Sequence, residues 1–282
     1  EILEWLTDVL RHQDATEQRR ALRKNPRQRF EWDFMLEDGP ERSLFENILF
    51  EWQPRTFGLP VWHEATPLNG SVTGGSTIVI TVVSTTDADY RDGGLVVIWE
   101  SQTKFDVLNL VSHTATTLTV LNPPANSYTP LADLILVAPM RLGAIDAAVT
   151  GSRFLQGQDR FRARFRVKDN DSNLASTSGW STFGGKVLLD DFNFVRGTMS
   201  EDYDHDVEVV DNRTGVTVES SRQDRHRRTS VKTFTVKTRA DLWRIRQLLH
   251  AFRGRQVSFY LPTFSRDLTA IATMTSGLTT LA

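Results

Sequence analysis

Cysteine is absent from the 282-residue sequence. This absence excludes disulfide bonds, thiolate metal sites and cysteine nucleophiles. A strong charge of one sign is also missing, because 33 basic and 35 acidic residues give a net charge of −2. A protein that mainly binds nucleic acid usually has a basic balance or a basic face. The composition therefore gives no sign of a polyanion-binding protein.

Long apolar runs are absent as well. No stretch reaches the roughly 18 residues of a membrane-spanning helix, and no signal-peptide pattern opens the sequence. The first residue is Glu1, and residues 270–282 break off within an alternation of polar and apolar residues. We therefore expect the sequence to be part of a longer chain.

Familiar catalytic motifs are missing too. The sequence contains no glycine-rich phosphate or dinucleotide loop, no Gly-x-Ser-x-Gly elbow and no His-Glu-x-x-His zinc motif. The six histidines do not fall at metal-ligand spacing on one helix. The best cation-like cluster is Asp202, Asp204, His205 and Asp206, for which a solvated acidic turn is the simpler interpretation. We expect no catalytic residues, no metal and no cofactor.

A glycosidase is one alternative, because such enzymes use paired carboxylates. The candidates are Asp190, Asp191 and Glu201, but nothing in their sequence context distinguishes them from surface acids. Release of sugar or peptidoglycan fragments would identify an enzyme of this kind.

Two segments have the apolar spacing of amphipathic helices. The first begins around Asp38-Gly39-Pro40 and ends before Pro54. Its apolar stripe comprises Leu44, Phe45, Ile48, Leu49 and Trp52. The second spans residues 239–252, with Thr238 as N-cap and Gly254 as C-terminal stop. Its stripe comprises Leu242, Ile245, Leu249 and Phe252. The tryptophans in and near these segments, Trp243 included, are expected to be core or interface anchors.

Alternating apolar and polar residues elsewhere predict strands. Between residues 69 and 145, glycine, threonine, serine and valine predominate, and about five short strands predict a small β-barrel or sandwich. Residues 207–210 and 216–218 flank a turn and predict a hairpin. The stretch from Arg11 to Arg29 is polar and rich in arginine.

The clearest strand, residues 160–167, has an arginine face. Arg160, Arg162, Arg164 and Arg166 alternate with Phe161, Ala163, Phe165 and Val167. The arginines could follow DNA phosphates or pair with carboxylates of a neighbouring subunit. No aromatic residues interleave with them to stack on bases, so subunit contact is favoured. The cluster Arg222, Arg225, Arg227 and Arg228 is interpreted in the same way.

The two helical segments form an internal repeat. Residues 32–62 and 234–264 share the order strand, helix, strand, proline, aromatic, at a constant spacing of 202 residues (32 to 234). The helical stripes do not match residue for residue, and any two strand–helix–strand units share this order. The wide spacing favours a duplicated domain over a solenoid. The anchors of the repeat are Trp32, Phe50, Phe57, Pro60, Trp62, Phe234, Phe252, Phe259, Pro262 and Phe264.

Both ends of the sequence resemble tail proteins of long-tailed bacteriophages. The segments Glu4-Trp5-Leu6-Thr7-Asp8-Val9, residues 17–23 and Pro26-Arg27 resemble the opening of many such proteins. Residues 252–255 and 258–264 resemble another recurrent segment. The similarity covers roughly residues 1–62 and 150–270, and the family includes siphophage distal tail proteins and baseplate hub proteins. Some hub relatives bind an iron–sulfur cluster through cysteines that this sequence lacks, so the cluster is not expected here.

The resemblance implies a fold as well as a role. The expected fold is mainly β with two flanking helices (α+β), built from duplicated tail-tube-like β-sandwich domains and an inserted small β-barrel. The expected units are residues 1–68, completed by part of 146–200, an insert at 69–145 and a second unit at 146–282. The implied role is that of a non-enzymatic ring component of a tail tip or baseplate, located in the virion and assembled in the host cytoplasm.

The resemblance also implies the partners. We expect self-association, as a trimer that forms a pseudo-hexameric ring or as a hexamer, and contacts with tail tube, hub and fibre proteins. Genome DNA is expected only in passing through the lumen, and stable membrane insertion is not expected. The alternative function is a receptor- or carbohydrate-binding tail module, in which exposed loops of the insert, such as Asp87 to Gly94, would carry recognition.

Overall fold

The computed structural model describes residues 1–11, 17–37, 39–130, 135–146, 148–155, 158–170, 174–190, 193–194, 200–205, 207–211, 213, 215, 217–221, 227–231 and 233–262. Within these ranges the fold is mainly β with two α-helices, which confirms the predicted α+β class. Neither helix of the described ranges is long and apolar enough to cross a membrane.

The first part of the chain, up to residue 145, contains one helix, α1 (Gly39–Trp52), and a 3₁₀ turn, Trp62–Glu64. Its strands are β1 (Ile2–Glu4), β2 (Thr7–Arg11), β3 (Glu17–Ala21), β4 (Arg27–Leu36), β5 (Phe57–Pro60), β6 (Thr66–Pro67), β7 (Val79–Thr81), β8 (Leu95–Ser101), β9 (Lys104–His113), β10 (Thr117–Val120) and β11 (Leu136–Ile145).

The second part contains helix α2 (Arg239–Phe252). Its strands are β12 (Thr150–Leu155), β13 (Gln158–Val167), β14 (Thr182–Phe183), β15 (Lys186–Val187), β16 (Asn193–Phe194), β17 (Ser200–Asp204), β18 (Val207–Asp211), β19 (Thr217–Ser221), β20 (Arg227–Val231) and β21 (Phe234–Thr235).

One antiparallel sheet holds most strands of the first part, in the order β1-β4-β13-β11-β8-β9-β10-β7. Strand β12 joins β13, and β5 and β6 join β11. Strand β11 connects the two sides, since it pairs with β8 through residues 136–140 and with β13 through residues 143–145. The sheet therefore runs unbroken across the boundary predicted at residue 145, and the division into domains stays a prediction.

The arginine strand packs as its alternation predicts. Ala163, Phe165 and Val167 of β13 are buried, and Phe165 and Val167 join Phe30 of β4 and Val61 in one apolar cluster. Helix α1 rests on this sheet mainly through Phe45, whose ring lies 4.7 Å from that of Phe34 and 4.9 Å from that of Phe161. The predicted stripe of α1 is only partly correct, because Leu44, Ile48 and Trp52 are exposed.

The segment from Leu68 to Val137 has an apolar core of its own. Beyond the sheet pairing, hydrogen bonds join residues 67–69 to residues 81–83: Asn69 N donates to Thr81 O at 2.9 Å and Val83 N to Pro67 O at 3.0 Å. The members of this core are Leu68, Val72, Ile80, Val82, Ala88, Tyr90, Val96, Ile98, Leu108, Leu110, Leu118, Val120, Tyr128, Ile135 and Val137.

Helix α2 has the predicted ends. The Thr238 side chain accepts a hydrogen bond from Asp241 N at 3.1 Å, and the chain leaves the helix through left-handed Arg253 and Gly254. Its buried face matches the predicted stripe only in part, at Ile245 and Phe252. Leu248 and Phe252 pack against Trp180, Val187 and Leu189, with Ile245 partly buried beside them. Leu242 and Leu249 are exposed, because the neighbouring Arg246 and His250 occupy the junction with the main sheet.

The N-terminal segment contains a hairpin, β2–β3. Strand β2 overlaps the alternating residues 3–9, which predict a strand, whereas β3 lies within the arginine-rich stretch, where no strand was predicted. The hairpin contacts the end of α2. Thr7 Oγ1 donates to Arg253 O at 3.4 Å, and Arg19 Nη1 donates to Arg255 O at 2.9 Å. Gly254 has a φ of 69°, and a Cβ there would lie 2.7 Å from Cβ of Trp5. Glycine at this position therefore permits the close approach as well as the turn.

Strands β17 to β20 form a long two-stranded hairpin, which we call the arm. β17 pairs with β20 and β18 with β19, and within the described residues these strands pair only with each other. This confirms the predicted hairpin and extends it to residues 200–231. Every described side chain of the arm is exposed except that of Ser230, which is partly buried.

Candidate functional site

A buried charged cluster lies where α2 meets the main sheet. Glu64 comes from the 3₁₀ turn, Asp89 and Arg91 from the loop between β7 and β8, Arg141 from β11 and Arg246 from α2. Glu64, Asp89, Arg141 and Arg246 are all less than a tenth exposed. No local sequence pattern predicts this cluster, because its members are up to 182 positions apart in the chain.

The charged groups of the cluster are paired with one another. Asp89 Oδ2 lies 2.7 Å from Arg141 Nη2, 2.8 Å from Arg91 Nη2 and 3.4 Å from Arg246 Nη2. Glu64 pairs with Arg246 and accepts a hydrogen bond from Asp89 N at 2.8 Å. Burial alone would raise the pKa of Asp89, but Arg141, Arg91 and Arg246 outweigh it and lower the pKa. Asp89 therefore serves as an ionised counter-ion to these arginines.

His250 lies beside this cluster on α2 and is 3% exposed. Its ring packs edge-on against Trp5, with 5.6 Å between the centroids. Neither ring nitrogen has a hydrogen-bond partner within the described part of the chain. Burial, with the nearby Arg246 charge, lowers the pKa of His250 to about 4. The imidazole is therefore neutral at pH 7.

A groove runs along the outer side of the same junction and consists of two cavities. One has a volume of about 440 Å³ and is lined mainly by Leu3, Leu242, Ile245 and Leu249 beside His63 and Glu64. The other, of about 510 Å³, is lined by the threonine-rich segment 85–88 and by His113, Thr114 and Ala115. Asp87 and Trp243 line both cavities. We call this feature the Trp243 groove.

The four arginines proposed as interface residues have partners within the chain. Arg160 pairs with Asp33 at 3.2 Å, Arg162 with Asp33 and Glu31, Arg164 with Glu31 at 3.3 Å and Arg166 with Asp146 at 3.2 Å. The hydrogen bond from Arg162 contributes most to lowering the pKa of Asp33. The arginine face therefore needs no carboxylates from another subunit to balance its charge. Its role in subunit contact stays a prediction.

The other acidic and basic candidates lie at the surface or outside the described residues. Glu201 pairs with Arg228 across the arm, and Arg228 also lies over the ring of Tyr203. Asp190, Asp202, Asp204 and His205 are exposed. Within the described residues the structure contains no cluster of three or more potential metal ligands. Asp191, Asp206, Arg222 and Arg225, together with the side chain of Arg227, lie outside what the structure describes.

The repeat anchors occupy unequal environments. Trp32 and Phe57 pack against the first apolar cluster, and Phe252 is buried, with its ring stacked 4.6 Å from that of Phe259. Phe50, the counterpart of Phe252, is 89% exposed. Of the remaining anchors, Pro60 is the last residue of β5 and Trp62 is exposed. Phe234 lies in β21 and Pro262 lies beyond α2, whereas Phe264 lies outside the described residues.

Hydrogen bonding also differs between the two segments of the predicted repeat. Strand β5 pairs antiparallel with β11, whereas Tyr260 forms a parallel bridge with Leu188. The equivalence of the two copies stays a prediction.

Comparison with known proteins adds no family. No protein-family model matches the sequence, and no curated protein is significantly similar to it.

Proposed function

We propose that this protein is a structural ring component of a bacteriophage tail tip or baseplate, connecting the tail tube to the distal hub or fibres. In this proposal the chain acts in the virion as a homo-oligomer and carries out no catalysis. It contacts tail tube, hub and fibre proteins. Support comes from the resemblance at both ends of the sequence and from surfaces of the fold that need a neighbouring protein.

The arm is the observation that carries the proposal. A single two-stranded hairpin is marginally stable in water, and this one exposes apolar side chains on both faces. Val209, on one face, is 54% exposed, and Val218, on the other, is 55% exposed. The first two strands of the arm, β17 and β18, also contain five acidic residues and no lysine or arginine. Such a ribbon gains most by lying against another subunit, where its valines and open edges are covered.

Helix α1 provides a second surface of this kind. Leu44, Ile48, Phe50 and Trp52 are exposed together on a 14-residue helix. Apolar side chains in such number on one element mark an interaction site more often than free surface. A contact between two different surfaces of the same chain is heterologous, and repeated contacts of that type form a ring when the rotation closes and a filament when it does not. The arm and α1 are the surfaces that we assign to this contact.

The proposal includes the finer features of the fold. The duplicated unit would be a tail-tube-like β-sandwich, and residues 69–145 would form an inserted β-barrel. The barrel is supported by a circuit of hydrogen bonds from β11 through β8, β9, β10 and β7 to residues 67–69 and back to β11. Two tube-like units per chain would let three chains fill six equivalent positions, so we favour a trimer with pseudo-six-fold symmetry over a hexamer.

Substitutions in the arm test the proposal. The double variant Val209→Asp, Val210→Asp adds charge to both faces of the arm, and mass photometry should show loss of the oligomer. The control Ser220→Asp adds a charge on the same hairpin without removing an apolar side chain and should retain the oligomer. A wild-type protein that is monomeric, or a double variant with unchanged mass, would contradict the proposed ring contact.

A further inference from the structure

We propose that the Trp243 groove is an oligosaccharide-binding site. Each of its two cavities, at about 440 and 510 Å³, falls within the roughly 300–1,000 Å³ of small-ligand sites. One cavity is mainly apolar and the other is polar, and they meet at Trp243. Sugar rings have this same dual character, with apolar C–H faces and a rim of hydroxyl groups.

Trp243 supplies the stacking surface. Its side chain is partly buried on α2 and lines both cavities. The guanidinium group of Arg246 lies 5.5 Å from the ring centroid. Arg246 is itself fixed by the charged cluster, so the indole is held in place before any ligand arrives. A rigid aromatic ring at the boundary of an apolar and a polar cavity can take the C–H face of a sugar ring.

Asp87 supplies hydrogen-bond acceptors. Its backbone has a φ of 59°, a left-handed conformation that costs free energy in residues other than glycine and recurs at binding sites. Among the described residues, its carboxylate forms no hydrogen bond or ion pair. A free carboxylate that lines both cavities can accept hydrogen bonds from two neighbouring hydroxyl groups of a sugar.

Arg239 fixes the walls of the groove through hydrogen bonds. Its side chain donates to three backbone carbonyls, with distances of 3.1 Å to Asp87 O, 3.2 Å to Ala65 O and 2.8 Å to Glu64 O. These bonds connect α2 to the Asp87 loop and to the 3₁₀ turn. Arg239 is held by these neutral carbonyls and Arg246 is paired with Glu64, so among the described residues Asp87 is the charged residue that lines both cavities without an ion pair. The groove therefore fits a neutral sugar or an amino sugar better than an acidic one.

The hydrogen-bonding groups of the polar cavity also favour a sugar over an extended peptide as the occupant. An extended peptide that binds through its backbone needs a sheet edge or a row of free backbone partners. The polar cavity is instead lined by Thr85, Thr86, Thr114, His113 and Asp87. His113 is paired with Asp92 at 2.7 Å, which fixes its ring at the rim of the cavity. Fixed hydroxyl, imidazole and carboxylate groups around an indole match the hydroxyl pattern of a saccharide.

A glycan array probed with the full chain, followed by calorimetric titration of the neutral or amino-sugar oligosaccharide that it retains best, tests the site. Trp243→Ala should weaken binding by about tenfold or more, as expected when one stacking contact is lost. Trp243→Phe, which keeps an aromatic surface, should stay within about threefold of wild type. Asp87→Asn, which tolerates the left-handed conformation but removes the charge, should also weaken binding.

Phe183→Ala is the control, because Phe183 is an exposed aromatic residue that neither lines the groove nor belongs to the proposed ring contact. It should bind as wild type does. Absence of any retained glycan, retention of acidic glycans alone, or unchanged affinity in Trp243→Ala would each overturn the proposal. The proposed ring and the proposed sugar site can be refuted separately, because mass photometry tests the oligomer and calorimetric titration of the folded protein tests sugar binding.

Discussion

Arg246 and Arg164 carry the same charge in different surroundings, and this difference determines what each contributes to stability. Arg246 is buried between Glu64 and Asp89, whereas Arg164 is about half exposed and pairs with Glu31 on the sheet surface. Removing one partner of a buried ion pair leaves an uncompensated charge. An exposed pair is weakened by water and salt, so its loss has little effect.

Arg246→Met should therefore lower the free energy of unfolding by about 3–5 kcal/mol. Arg164→Met removes the same group from the surface and should lower it by no more than about 1 kcal/mol. Urea unfolding at pH 7 measures both variants. Equal effects would show that the cluster around Asp89 is hydrated rather than buried.

His250 should make stability depend on pH. Its pKa in the folded protein is about 4, below the roughly 6.5 of an unfolded chain. The unfolded state therefore binds a proton first as the pH falls through 6.5, and stability is lost from there down to about pH 4 at roughly 1.4 kcal/mol per pH unit.

His250→Leu removes the titrating group and keeps an apolar side chain beside Trp5. Its loss of unfolding free energy between pH 7 and pH 5 should be smaller than that of wild type by about 2 kcal/mol. Parallel pH dependence in the two proteins would mean that His250 is free to ionise in the folded state.

At the scale of elements, the two helices differ more than their sequences predict. Both have 14 residues and an apolar stripe. Only α2 buries its last aromatic residue in a core, where Phe252 meets Trp180 and Leu189. All residues of α1 are at least partly exposed, and Phe50 points away from the sheet contact made by Phe45.

Phe252→Ala should consequently lower the free energy of unfolding by about 3–5 kcal/mol, the cost of emptying a filled core site. Phe50→Ala removes the same side chain at the matched position of the predicted repeat. It should change the free energy of unfolding of the monomer by less than about 0.5 kcal/mol. Thermal melts of the two variants check this. Similar melting temperatures would show that the helices have equivalent surroundings after all.

Local patterns predicted the elements well. Alternation identified β13, proline and glycine identified the ends of α1, and Thr238 identified the start of α2. The charged cluster and the Trp243 groove could not be predicted in this way. Their residues come from the 3₁₀ turn, the loop after β7, strand β11 and α2, and only tertiary packing brings these together. For the same reason, nothing in the sequence around Arg246 predicts that this arginine lies on the buried side of α2.

At the scale of the whole molecule, the fold combines a continuous sheet with surfaces that have no cover of their own. Strand β11 lies in the main sheet and contributes Arg141 to the charged cluster, which connects this sheet to α2. The arm and the outer side of α1 are the uncovered surfaces, since they present apolar residues to solvent in the described part of the chain. A closed assembly of identical chains would cover both surfaces at once.

Cryo-electron microscopy of the purified protein, averaged without imposed symmetry, tests this central claim most directly. The account predicts closed rings of three chains, with a pseudo-six-fold outline and with the arm of each chain lying against its neighbour. Rings of six chains would preserve the structural role but contradict the pseudo-hexamer. Isolated single chains at concentrations where the protein stays folded would contradict the account as a whole.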